Sequence, residues 1–339
     1  MSNGFVRDAW YVIAWSEALP VGGTVARTVL GEPLVAFRGE DGVANVVADR
    51  CPHRGVPLSM GKVAGPAIQC AYHGLRFDGA GACVHNPHVK ADPGRLAVRS
   101  YPVVERFGAV WVWTGDAGRA DPAKVPDYGW FDDGRAGYRT VRGQLHVQAG
   151  YRLIIDNLLD LSHAEYLHAG TVGTPGSAGS LKASVDVADE RVTVLRKVYD
   201  LPPSAVFKPV WHKTERIDQH ANMTWRAPSH LLLDLGIMPP GGVLDEGLHF
   251  PSAHLLTPET ERSTHYFFAN ARNFRTDDEG YDDAVLAVFR RAFGEEDRPI
   301  VEAIQRAAVD AGDGFRFADF TIGDGAAARA RRMLDRLTG

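Results

Sequence analysis

Cysteine is scarce in this chain, three residues among 339. So few thiols, and an odd number, cannot build a disulfide framework, so a stapled scaffold is excluded and metal or redox chemistry is the use to look for. Long apolar runs are missing too: nowhere do about 18 apolar residues follow one another, so no membrane-spanning helix is expected. The opening residues MSNGFVRDAWYVIAW lack the basic region, long apolar stretch and cleavage site of a secretory signal. Positive charge is not in excess either, since 37 Lys and Arg stand against 42 Asp and Glu for a net charge of -5. A nucleic-acid partner held through its phosphates is therefore not expected. These absences point to a cytoplasmic protein that engages neither nucleic acid nor membrane.

What is there is ordinary globular composition, 45% hydrophobic and 23% charged, at a length that suits two domains. The first third reads as short strands punctuated by Gly-Glu-Pro and Glu-Asp-Gly turns. The run GAVWVWTGD is a further strong strand, with Val110 and Val112 on one side and Trp111 and Trp113 on the other. An all-β domain over residues 1–130 follows. Residues 151–169 then carry apolar residues at 153, 154, 158, 159 and 161, which is helical spacing. The Gly/Ser/Thr/Pro-rich residues 171–180 read as a mobile loop, and strand-like runs and helical stretches alternate to the end. This predicts an α+β domain over 135–339, a sheet with helices against one face.

The sharpest pattern lies at 51–73, where Cys51-Pro52-His53 and Cys70-Ala71-Tyr72-His73 each place a histidine close to a cysteine. Two thiolates and two imidazoles could hold a tetrahedral zinc or a two-iron cluster. Structural zinc sites usually place both cysteines first and both histidines last. The order Cys-His then Cys-His matches instead a Rieske [2Fe–2S] centre, in which two Cys bind one iron and two His the other. Two ferric ions, two sulfides and two thiolates sum to zero charge, so an electron is accepted more easily than by an all-cysteine cluster. Cys83 lacks a comparable partner and reads as a buried thiol.

A second set sits on the 151–169 helix: Asp156, Asn157, Asp160, His163 and His168. His163 and His168 are five residues apart, about 140° on an ideal helix, so the helix must bulge or end between them if both are to bind one ion. Two His and a carboxylate from elsewhere make the facial triad of non-haem Fe(II). Asp160, one turn away, is placed to accept the N–H of a ligand histidine. Spacing leaves the third ligand open among Asp282, Asp283, Glu295, Glu296 and Asp297.

Taken together, CPHRGVPLSMG, CAYHGLRFDGAGACVHNP, YRLIIDNLLDLSHAEYLH, LLTPETERSTHYFFANARNF and EEDRPIVEAIQ are similar, nearly end to end, to the oxygenase components of Rieske non-haem iron oxygenases of the vanillate and dicamba O-demethylase group. The resemblance implies a Rieske domain followed by a helix-grip catalytic domain. It makes Cys51, His53, Cys70 and His73 the cluster ligands and His163, His168 and Asp297 the iron ligands. It also implies a homotrimer, with Asp160 bridging to a cluster histidine of the neighbouring subunit and Asn157 near the iron. Where relatives often read Asn-Tyr-Lys, this chain has Gly150-Tyr151-Arg152. By the same resemblance Asp234 and His254 fall at substrate-contacting positions. A carboxylate at 234 would repel an aromatic acid but accept from a phenolic hydroxyl, which points to a 4-hydroxy-3-methoxybenzoate.

The implied activity is oxidative O-demethylation of a methoxylated aromatic acid to a phenol and formaldehyde, using O₂ and NADH. This chain has no G-x-G-x-x-G fingerprint, so NADH oxidation falls to a separate reductase of flavin or ferredoxin type. Hydroxylation or N-demethylation of another small aromatic is the rival within the class. A Rieske electron carrier without catalytic iron, or a zinc-binding module, are the rivals outside it.

Overall fold

The hairpin Thr24–Val29 to Glu32–Arg38 turns through Leu30 and Gly31 at φ 51° and 79°, the two positive values of a tight primed turn whose twist matches the strands. The computed structural model describes residues 4–89, 95–132, 134–311, 318 and 321–338. It divides into two compact units, one of Phe5–Val125 with Thr257–Thr260, the other of Met1–Gly4, Pro126–Leu256 and Glu261–Gly339.

The Phe5–Val125 unit is built of antiparallel sheets. The hairpin continues through Ala44–Ala48 to Ser100–Tyr101. Trp10–Trp15 pairs with Ala109–Trp113, whose residues are all 0% exposed, so both faces of that strand are covered. A third sheet runs Lys62–Ala64, Ala67–Gln69, Arg76–Phe77, Cys83–His85. Its core, with Val35, Phe37, Val47, Leu58, Ile68 and Phe77, encloses Cys51 and Cys70.

The other unit is α+β. Its antiparallel sheet runs, in spatial order, Arg139–Val147, Ser263–Arg272, Ser252–Thr260, His230–Met238, Ile217–Arg226, Arg191–Leu201, Lys182–Ala188. The short strand Leu248–His249 pairs with the second half of His230–Met238. Helix Tyr151–Leu159 buries Ile154, Ile155, Leu158 and Leu159 and packs on Ile217–Arg226, while Ile322–Thr338 packs on Arg191–Leu201.

Two irregularities position the site. The 151–169 segment is not one helix: it breaks at Asp160 (φ -107°, ψ 87°), makes a 3₁₀ turn over Leu161–His163 and ends with Ala164–Leu167. A Cβ on Gly323 would come within 2.4 Å of Asp160 Cβ, so only glycine lets the last helix lie against that break. Further on, Gly280–Phe289 passes into a π-helical stretch, Arg290–Asp297, before Arg298–Ala311 resumes the α-helix. Such π segments cluster at functional sites because they redirect side chains without ending the helix. Residues 171–180, expected as a mobile loop, are instead tied down. Glu165 accepts from the Gly176 and Ala178 amides at 2.8 and 2.6 Å, and Ser177–Ser180 form a helical turn.

Candidate active site

The two Cys-His loops are near-copies of one another. Cys51 N–H donates to the Val56 carbonyl and Cys70 N–H to the Leu75 carbonyl, both at 2.8 Å. The Gly55 and Gly74 amides close back on the Cys51 and Cys70 carbonyls. Both glycines have positive φ, 73° and 72°, where a side chain would be strained. The loops bring His53 Nδ1 and His73 Nδ1 to 3.1 Å, close to the roughly 3.3 Å separating two nitrogens on one tetrahedral ion. The thiols of Cys51 and Cys70 are buried and unoxidised, and burial pushes the Cys51 thiol up. Two buried thiols and two convergent imidazoles on paired loops are a donor set that fits a cationic [2Fe–2S] core. Cys83 is buried in the same core, its thiol donating to the His85 carbonyl at 3.5 Å.

The break at Asp160 turns His163 and His168 toward Asp297. Asp297 Oδ1 lies 3.4 Å from His163 Nε2 and 3.2 Å from His168 Nε2, and the three donor atoms lie within 4.8 Å of one another. Burial works to raise the Asp297 carboxyl, but the two imidazoles outweigh it and hold it well below the usual carboxylate range. Asn157 Nδ2 donates to Asp297 Oδ1 at 3.2 Å. Each imidazole is oriented from its other nitrogen: His163 Nδ1 is 2.6 Å from the Asp160 carbonyl, and His168 Nδ1 is 2.7 Å from Glu296 Oε2. The buried Asp297 carboxylate and the partly buried Glu296 carboxylate beside two imidazoles carry negative charge that a divalent cation neutralises, so the residues fit Fe(II).

Asp160 therefore serves His163 with its main-chain oxygen. Its carboxylate, the group expected to accept that N–H, instead accepts from the Ser162 amide and hydroxyl at 3.1 and 2.9 Å. Glu296 was only one of several acids open as third ligand, and its orienting role at His168 had no signal beyond its place beside Asp297.

The triad forms part of the wall of a cavity of about 910 Å³, counted with its open mouth. Leu158, Val198, Met223, Leu233, Phe289 and Phe293 supply apolar lining. His254 also lines it, 1% exposed, and burial lowers its pKa to about 3, so the ring is neutral. Its Nδ1 sits 2.6 Å from the Tyr266 hydroxyl. Burial holds that phenol protonated, and His254 Nε2 has no hydrogen-bond partner among the described residues.

Asp234 does not join them, which corrects its expected substrate contact. Leu233 and Leu235 line the cavity, and alternation along the strand places Asp234 on the opposite face. There Asp234 Oδ1 lies 3.1 Å from His220 Nε2 and 2.9 Å from His249 Nε2. Among the lining residues that escaped the sequence reading is one charged side chain, Arg196, 8% exposed.

Comparison with known proteins places these features in a family. Residues 9–102 match the Rieske [2Fe-2S] domain, and residues 147–338 match the vanillate O-demethylase oxygenase C-terminal domain. The oxygenase component of dicamba O-demethylase from Stenotrophomonas maltophilia is 42% identical over 98% of both chains. A crystal structure of dicamba monooxygenase bound to 3,6 dichlorosalicylic acid superposes with a TM-score of 0.92 at 41% identity, covering 98% of each chain. Another, with non-heme iron and dicamba, gives 0.85 at 40% identity, covering 99% of this chain and 98% of that one.

Proposed function

The chain belongs to the Rieske non-haem iron oxygenases of the vanillate O-demethylase group, with a [2Fe–2S] cluster and Fe(II) as its cofactors, and we propose that it removes the methyl group of a methoxylated, vanillate-like aromatic acid, giving a phenol and formaldehyde. The observation that carries this reading is the convergence of His163, His168 and Asp297 on the wall of an otherwise largely apolar cavity.

In this reading residues 1–130 carry the cluster on Cys51, Cys70, His53 and His73, and residues 135–339 carry the iron on His163, His168 and Asp297. When bound, the two groups supply stepwise electron delivery and O₂ activation. The protein's part is placement. Glu296 and the Asp160 carbonyl hold the imidazoles with Nε2 toward the iron position, and Asn157 fixes the Asp297 oxygen. The Leu and Phe walls keep water out and hold the methyl group close. In this reading the Tyr266 hydroxyl donates to His254 Nδ1, and His254 Nε2–H donates to a polar substituent of the substrate.

As an oxygenase component the chain takes electrons from a separate protein. We assign that role to an NADH-dependent reductase of flavin or ferredoxin type, in the cytoplasm. Among the described residues no helix is long and apolar enough to cross a membrane. A homotrimer, with Asp160 linking the iron of one chain to the cluster of the next, completes the electron route. The test is a panel of methoxybenzoates with a surrogate reductase, following NADH use and formaldehyde together. Stoichiometric formaldehyde is expected; hydroxylated product without formaldehyde would overturn the reading.

A further inference from the structure

Arg196 is a feature of the cavity that demethylation of a neutral aromatic would not need. It lies on Arg191–Leu201, whose inward positions Val192, Val194 and Val198 are all apolar and buried. Arg196 takes the next inward place in that alternation, is 8% exposed, and lines the cavity that holds the triad. Its main-chain N–H donates to Asn222 Oδ1 at 3.2 Å. Its guanidinium has no hydrogen bond or ion pair to any described residue, and the nearest acid acting on it is Asp160, through charge alone.

A guanidinium on a largely buried residue, open only to the cavity and without an acceptor beside it, is costly, because its donors have given up much of their water and received no partner in return. Natural interiors keep such a group where a ligand completes it. The planar fork matches a carboxylate, or the sulfonate that shares its charge and geometry. The carboxylate that could have repelled such a ligand, Asp234, faces away from the cavity and is engaged by His220 and His249.

We propose that Arg196 is the anchor for an anionic oxyacid substituent on the aromatic ring of the substrate, a carboxylate in the first instance. The inference rests on the cavity being the substrate site of the proposed oxygenase. It fixes the substrate class as an aromatic acid and makes Arg196 a specificity-determining residue, with the apolar wall left to hold the ring.

The test uses ligands without a methoxy group, so that it does not depend on demethylation. Benzoate, benzenesulfonate and neutral benzamide are titrated calorimetrically into anaerobic holoenzyme and into R196M and R196K. Benzoate is expected to bind wild type at least about tenfold more tightly than benzamide. R196M should lose roughly ten- to a hundredfold of the benzoate affinity and keep that for benzamide, with R196K, charged but without the fork, in between. Tighter binding of benzenesulfonate than benzoate would assign the same anchor to a sulfonate.

Thermal unfolding separates this role from a structural one. Replacing an unpaired buried charge by Met should leave the midpoint unchanged or raise it. Should R196M not load iron, the R196K comparison decides. The proposal falls if benzoate does not bind, if benzoate and benzamide bind alike, or if R196M and R196K both bind benzoate as wild type does. It also falls if R196M unfolds several degrees lower with its benzoate affinity intact. Arg196-dependent benzoate binding without formaldehyde from any methoxybenzoate would leave the anchor standing and remove the demethylase reading.

Discussion

His168 directs Nδ1 to Glu296 Oε2 at 2.7 Å while its Nε2 faces Asp297 Oδ1 at 3.2 Å, so two consecutive acidic residues grip the two ends of one imidazole. Glu296 Oε2 also accepts from the Thr171 hydroxyl at 2.7 Å, and Oε1 from Arg291 at 3.1 Å. It is held from three sides and can orient the ring firmly. Glu296→Gln removes the charge and keeps the shape. Iron affinity should fall about 10- to 100-fold with the cluster absorbance unchanged, measured by ferrous titration of metal-stripped protein. An unaltered affinity would make the contact incidental.

His163→Ala removes a donor from the triad while leaving the Cys-His loops alone. Turnover should vanish, the Rieske spectrum should remain, and iron should drop from about three to about two atoms per chain. Loss of the spectrum in this variant would count against two independent metal sites.

His254 has its pKa brought down to about 3 by burial, against roughly 6.5 for an unfolded chain. The unfolded state therefore takes up a proton that the folded state refuses. The stability is fully present above pH 6.5 and is lost as pH falls toward 3, at up to about 1.4 kcal/mol per pH unit from this group. Denaturant midpoints at pH 7 and pH 5 should separate more for wild type than for His254→Gln. Equal separations would mean the imidazole is not buried neutral.

Gly55 sits at φ 73° in the first Cys-His loop, and Gly42 at φ 82° in a turn where an added Cβ would meet nothing within 4 Å. Alanine at either costs about 1–2 kcal/mol of backbone strain. Only Gly55→Ala should also lower cluster content, read as iron, sulfide and absorbance per chain. Equal cluster loss in Gly42→Ala would show that strain alone, rather than loop geometry, is responsible.

The ligand-bearing residues were legible because chemistry at short spacing survives without coordinates. Cys51 to His53, Cys70 to His73, and His163 to His168 each lie within one loop or turn, and the end of the helix that the five-residue histidine spacing demanded falls where Ala164–Leu167 stops at His168, while the further break upstream at Asp160 had no such signal. The cavity was less legible. His230–Met238 reads HLLLDLGIM, where leucines occupy both faces, so hydrophobicity cannot say which parity points inward. A one-residue difference in register exchanges Asp234 for Leu233. Arg196 was the reverse case. The alternation Val192, Val194, Arg196, Val198 marks an inward charge in plain view, but a strand arginine is so often solvated that the pattern is easily passed over.

Phe289, Phe293 and Asp297 stand four residues apart along one continuous helical rod, two of them walls of the cavity and the third a donor of the triad. Room for the substrate and geometry at the metal are thus mechanically yoked: sliding or rotating that rod to admit a bulkier ring drags the carboxylate with it. Widening the chamber without disturbing the metal means carving from the opposite side, at Val198, Met223 or Leu233, where the strands carry no donor of the triad.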